Sequence, residues 1–199
     1  MNHKFRASYT ILNTWDSGNW EMATKYYFKL ESFTTRAMAD GRDRHDIFDK
    51  HIQNTKTLPV EFGGGKLSNP KPEIKLVVEI YPWLQLVSKI DCLDDPIIYE
   101  FKTGAMSSEA YASKKQHGVY GVAATYGGFY VNRAEICRYN QAIKKSDVST
   151  VWLTKNLLNE SFNWIETIAS EMHSYFERNN LYEKYGANLK GRIVQNGSN

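Results

Sequence analysis

EIYPWLQLVSKIDCLDDPIIYEFKTGAMSSEAYASKKQHGVY, residues 79–120, holds two acid-bearing strands, a third strand with Glu100 and Lys102, and then a helix. Successive side chains of a strand take opposite faces. In residues 97–102, Ile97, Tyr99 and Phe101 therefore point one way, and Ile98, Glu100 and Lys102 the other. A carboxylate and an ammonium end up together at the end of an apolar strand. Residues 84–91 alternate too and deliver Asp91 at their far end. Leu93-Asp94-Asp95-Pro96 reads as a turn, because Asp and Pro favour tight reversals. A hairpin across it holds Asp91 near Glu100, with Lys102 alongside. Asp94 and Asp95 also lie near the turn, but Asp91 fits the alternation better.

Two carboxylates held close repel unless a cation sits between them or one of them takes up a proton. Oxygen ligands that leave room for waters suit Mg²⁺. A metal so held lowers the pKa of a bound water and neutralises charge on a phosphoryl oxygen. Lys102 is then placed to orient an attacking water or to stabilise a charged transition state. An isolated Glu-x-Lys reads far more readily as a surface salt bridge, since such short matches arise by chance. Here the acids end apolar strands and further partners follow.

Asp91, then Glu100-Phe101-Lys102-Thr103-Gly104, then Gln116-His117-Gly118-Val119-Tyr120 resembles the PD-(D/E)XK nuclease superfamily. Within it the pattern is similar to the RecB-type and CRISPR-adaptation exonuclease branch, and the likeness runs from about residue 8 to 172. The resemblance implies metal-dependent hydrolysis of DNA phosphodiester bonds with Mg²⁺ or Mn²⁺. It implies His45, Asp91 and Glu100 as metal ligands, with the Phe101 carbonyl as another, and Lys102 as the catalytic lysine beside Asp91 and Glu100. Gln116 and Tyr120 would support the site or touch DNA. Glu79 matches, more weakly, an acid on the preceding strand. The implied fold is α/β, a restriction-endonuclease-like αβββαβ core with a central mixed sheet flanked by helices. Residues 1–180 would form one nuclease-like domain and residues 181–199 a polar tail. The expected partner is DNA, single-stranded or at duplex ends, with recombination or phage replication proteins beside it. A catalytically silent DNA-binding or assembly protein on the same fold is the alternative. A hydrolase using Asp91 and Glu100 as a metal-free acid–base pair is another, as in sugar cleavage.

The chain has 199 residues, 42% hydrophobic and 24% charged, with a net charge of +3. That suits one ordinary globular domain. The modest positive charge permits a nucleic-acid partner without requiring one. No apolar run approaches membrane-spanning length, and the first six residues lack a signal peptide's hydrophobic segment. Cys92 and Cys137 are the two cysteines. They read as free thiols in a reducing cytoplasm. Several relatives carry an iron–sulfur cluster, which needs four thiolates, so none is expected here.

Around this centre, residues 8–28 suggest one or two aromatic-rich helices. Residues 34–52 predict a helix whose Ala37, Gly41, His45, Phe48 and Ile52 form one stripe at helical spacing. His45 is read as the one ionisable group on that stripe, and Gly41 as a point of close approach to a neighbouring element. A lone histidine there is more often structural than a ligand; the resemblance favours the ligand, and imidazole suits Mn²⁺ better than Mg²⁺. Residues 54–72 read as a mobile polar connection, a candidate flap; their Gly63-Gly64-Gly65-Lys66 does not meet the phosphate-loop spacing. Residues 74–81 alternate as a strand, leaving Glu79 to serve the site or to pair with Lys89. A helix capped at Ser107 or Ser108 runs to Gly127-Gly128 and carries Gln116 and Tyr120 on one face. Lys114 and Lys115 precede that pair and suit backbone phosphates or plain solvation. Residues 129–139 and 149–154 are further strands. Leu158, Phe162, Ile165, Ala169, Met172 and Phe176 mark a long amphipathic helix, and the chain beyond Leu181 is expected to fray.

Overall fold

The computed structural model describes residues 4–30 and 36–192, with side chains for all of these except 36–40 and 190–192. The expected helix start at Thr34, the Ala37 side chain and the end of the polar tail lie outside the described residues.

Alternating segments pair as hairpins. Strand β2 (Lys71–Tyr81) turns at Pro82-Trp83 into β3 (Leu84–Asp94), antiparallel to it, with Ile74 opposite Ile90 and Glu79 opposite Gln85. Strand β4 (Ile97–Lys102) follows after Asp95-Pro96 and pairs with β3 through Cys92 and Tyr99. Both β3 and β2 outrun their expected bounds, because Cys92, Leu93 and Asp94 are buried and keep the ladder going. A three-residue strand, β1 (Phe5–Ala7), lies parallel to the start of β3. It is too short to show an alternation. Strand β5 (Arg133–Asn140) runs parallel to β4, and β6 (Lys145–Trp152) closes the far edge antiparallel to β5. The sheet has six strands in the order β1-β3-β4-β5-β6, with β2 on β3. It is mixed, and helices flank it.

Helices α1 (Tyr9–Asp16) and α2 (Trp20–Phe28) precede α3 (Arg36–Thr55). The helix expected from Ser107 is two: α4 (Ser108–Ala112), with Ser107 Oγ accepting from Ala110 N at 3.3 Å, and α5 (Gln116–Tyr126). The long amphipathic segment is α6 (Lys155–Arg178), buried through Ile165, Ala169, Met172 and Phe176. The segment from Leu181 does not simply fray. Leu181–Tyr185 forms a short helix, α7, and the Tyr182 ring packs on Phe28, Phe176 and His173 while its hydroxyl bonds His173 Nδ1 at 2.6 Å. The aromatic residues there had a hydrophobic surface to cover, which composition alone hides.

The two faces of β4 sort the chain into two cores. Ile98 joins Leu84, Leu86, Val119, Ile136 and α6 in the main core. Tyr99 and Phe101 join Phe48, Ile52, Leu67, Cys92 and Cys137 in a second, smaller one beneath α3. The loop at residues 56–70 covers that second core and is tied down. Phe62 stacks on Phe101 with centroids 5.4 Å apart, and Thr57 bridges to Lys66. Asp94 accepts from the backbone nitrogens of Ser68 and Asn69 at 2.9 and 2.5 Å. This is a docked loop in place of the expected mobile connection, and it commits Asp94 to structure.

Helices α5 and α6 approach closely at Gly118, where an added Cβ would collide with Ser161 Oγ and come within 3.0 Å of Ser161 Cβ. Alanine is the better helix former by about 1 kcal/mol, yet overpacking outweighs it. Gly118→Ala is expected to destabilise the fold by about 1 to 2 kcal/mol net, read as a lower urea midpoint with unchanged slope.

Candidate active site

Alternation in β4 puts Glu100 and Lys102 on the face that looks towards α5. Lys102 Nζ sits 2.5 Å from Glu100 Oε1, and Gln116 Nε2 donates to the same oxygen at 2.9 Å and to Tyr120 Oη at 2.7 Å. The four-residue spacing of Gln116 and Tyr120 on α5 makes that shared contact possible. Glu100 is only 2% exposed, which rejects a solvated surface salt bridge. Its other oxygen, Oε2, is buried with no hydrogen-bond partner among the described residues.

Asp91 stands where β3 and β4 begin to part. Its Oδ2 accepts from Phe101 N at 2.8 Å, and its Oδ1 lies 3.3 Å from His45 Nδ1. Strand β3 changes face here: Ile90 belongs to the main core and Cys92, two residues on, to the second. A regular strand would keep both on one side. Helix α3 brings His45 in from the second core; an added Cβ on Gly41 would lie 3.6 Å from Thr103 Oγ1, ordinary van der Waals contact, so the packing there does not require the expected glycine.

The electrostatics follow from this packing. Burial and the nearby Asp91 charge push the Glu100 carboxyl up, to about 7, against the opposing pull of Lys102. Burial lowers the proton affinity of Lys102, but the Glu100 charge and hydrogen bond outweigh it, and the net direction is up. Burial likewise lowers His45, while the Asp91 hydrogen bond and the Asp91 and Glu100 charges carry it above its ordinary value. The buried Glu100 carboxyl is thus incompletely compensated as a charge, and a proton or a cation is favoured beside it. An unpaired buried carboxylate oxygen, a second carboxylate and an imidazole make a donor set that fits a hard or borderline divalent cation.

Two expected site residues are placed otherwise. Glu79 pairs with Lys4 and sits opposite Gln85, six residues along β3 from Asp91. Lys89 pairs with Glu73, not Glu79. At about 3.3 Å per residue, Glu79 is some 20 Å from the cluster. Lys115 is turned onto α1 and α6, with Nζ 2.8 Å from Asp16 Oδ2 and 4.7 Å from the Trp164 ring centre.

Reading the sequence missed three contributors. Arg138, 8% exposed, donates to the carbonyls of Gly104 and Ala105 at 3.2 and 3.0 Å and to Asp147 at 2.5 Å. Asp147 in turn accepts from Ser108 N at 2.8 Å. This pair fixes the loop that leaves Lys102. Arg138→Ala should destabilise by about 2 kcal/mol, because Asp147 and two loop carbonyls lose a charged, buried donor; urea unfolding measures it. The third contributor is a group of acids next to Asp91. Asp46, Asp49 and Glu73 each offer a carboxylate oxygen within 4.8 Å of the others'. Asp49 is i+4 from His45, so His45 was not the one ionisable group on its face.

No protein-family model matches this sequence, and no curated protein does. Among solved structures, the alkaline exonuclease LHK-Exo of Laribacter hongkongensis is similar over 92% of this chain and 95% of its own, at 9% identity and a TM-score of 0.60. The same enzyme in complex with dAMP matches with 11% identity, 94% and 95% coverage and a TM-score of 0.59. A candidate exonuclease from Eubacterium rectale matches at 12% identity over 85% of this chain and 80% of its own, with a TM-score of 0.57. At these identities the likeness concerns the fold: a mixed α/β architecture shared with exonuclease structures. Among the described residues no helix is long and apolar enough to cross a membrane.

Proposed function

We propose that this chain is a metal-dependent deoxyribonuclease of the PD-(D/E)XK type and the RecB-like branch, cleaving DNA phosphodiester bonds as an exonuclease. The observation that carries the proposal is buried Glu100, its Oε1 held by Lys102 and Gln116 and its Oε2 unpaired beside Asp91. The fold shared with exonuclease structures supports it. His45, Asp91, Glu100 and the Phe101 carbonyl would hold Mg²⁺ or Mn²⁺, with the imidazole favouring Mn²⁺. Such an ion lowers the pKa of a bound water and neutralises phosphoryl charge.

The chain's own groups do the rest. Phe101 N fixes one Asp91 oxygen, and the other lies 3.3 Å from His45 Nδ1. Gln116 holds Glu100 in one rotamer, and Tyr120, buried behind it, accepts the second amide hydrogen of Gln116. Lys102 keeps its proton and offers a charged donor to the attacking water or to a non-bridging oxygen. Removing such a donor from a preorganised site costs rate, not merely affinity. Residues 1–180 would act as one catalytic unit, in the cytoplasm, in recombination, repair or phage DNA processing.

The test is incubation of end-labelled single- and double-stranded DNA with Mg²⁺, Mn²⁺ or EDTA. Mononucleotide release with metal and none with EDTA is the expected result. Intact DNA under every metal condition would remove the enzyme reading and leave the silent DNA-binding alternative.

A further inference from the structure

We propose that Asp46, Asp49 and Glu73 bind a second divalent cation, with no ligand in common with the His45, Asp91 and Glu100 group, and that it clamps helix α3 to strand β2. Asp46 and Asp49 are three apart on α3 and face the same way. Glu73 comes from β2, at the backbone position opposite Asp91, and adopts a φ of 51°. The three residues present oxygens within 4.8 Å of one another. Three carboxylates so close repel unless a cation sits among them or one takes up a proton.

A second observation points to a ligand. Asp49 is 5% exposed, its carboxyl is turned into the cluster, and its Oδ1 has no hydrogen-bond partner among the described residues. A buried carboxylate oxygen left without a donor costs free energy, and bound cations are a common way to satisfy one. Lys89 meets Glu73, but its side chain is 62% exposed, so the ammonium can swing into water when an ion arrives. An all-carboxylate donor set with two exposed members that leave room for water selects Ca²⁺, Mg²⁺ or Mn²⁺ over softer metals.

The consequence reaches the proposed active site through α3. His45 precedes Asp46 directly and lies one turn before Asp49. An ion that ties this turn of α3 to β2 sets where His45 meets Asp91. Asp46, Asp49 and Glu73 are then positioning residues. That consequence rests on the nuclease reading; the binding of the ion does not.

The experiment measures Mn²⁺ stoichiometry on the full chain by electron paramagnetic resonance, and the Ca²⁺-induced rise in melting temperature. It compares wild type, Glu100→Gln, and the double variant Asp46→Asn with Glu73→Gln, whose positions are both exposed. Wild type is expected to bind two ions and each variant one. The double variant should also show a smaller Ca²⁺-induced rise and a metal-free melting temperature no lower than wild type, since repulsion has been removed. A double variant that binds as many ions as wild type, with an undiminished rise, overturns the proposal. Loss of an ion in the double variant with none lost in Glu100→Gln supports this site and tells against the catalytic one.

Discussion

Lys102→Ala should hydrolyse DNA about 10³-fold more slowly than wild type, a loss of roughly 4 kcal/mol in transition-state stabilisation. The loss should fall on kcat, with KM little changed, because the ammonium meets charge that develops only as the phosphoryl group is attacked. Lys102→Arg should fail to restore the rate: a planar fork does not fill the place of a compact ammonium between Glu100 Oε1 and the Tyr111 ring, whose centre is 5.6 Å from Nζ. Gln116→Ala should cost much less, on the order of tenfold, since it orients Glu100 without meeting substrate. Mn²⁺ binding should survive in Lys102→Ala, which distinguishes a lost catalytic group from a lost metal site. A Lys102→Ala enzyme within a few-fold of wild type would remove the role assigned to this lysine.

The centre of the molecule was legible because two simple periods specify it. Period-two alternation put Glu100 and Lys102 on one face of β4, and four-residue spacing put Gln116 beside Tyr120. Both are local and survive tertiary packing. Glu79 was misplaced for the opposite reason: its position depends on hairpin register. Reflecting Asp91 through the turn at Pro82 leads to Glu73, so counting residues across the hairpin would have found the neighbouring acid. Asp49 was hidden by habit of reading, since a stripe scored on apolar residues passes over a buried carboxylate at the same spacing from His45. Strand β6 starts in the polar run at Lys145 because it is an edge strand, open to water on one side, with Val148 and Trp152 exposed. Edge strands carry no clean apolar alternation. The Arg138–Asp147 tie joins two neighbouring strands to the loop after Lys102, and nothing in local sequence announces it.

Metal-free protein should lose stability as pH rises from about 5 to 8, and added Mn²⁺ should restore more of it at pH 8 than at pH 6. Glu100 is held up at about 7 from an ordinary 4.5 by burial and by Asp91. Between those values the folded chain keeps a proton that the unfolded chain releases, so raising the pH favours unfolding. Asp49 moves the same way, from 3.8 to about 7, under burial and the charges of Glu73 and Asp91. His45, also raised, contributes stability that is full below its ordinary 6.5 and is lost as the pH climbs through its folded value. The three act in one direction. A tenfold change in proton affinity is worth about 1.4 kcal/mol, so Glu100 alone accounts for about 3 kcal/mol across the window. A divalent ion supplies the positive charge that the proton supplied at lower pH, and the two compete, which is why its effect should grow with pH. Glu100→Gln should flatten the metal-free profile, because an amide does not titrate. Melting temperatures in EDTA that stay level or climb between pH 5 and 8 would mean that these carboxyls are not forced together, and the cation-binding argument would lose its physical basis.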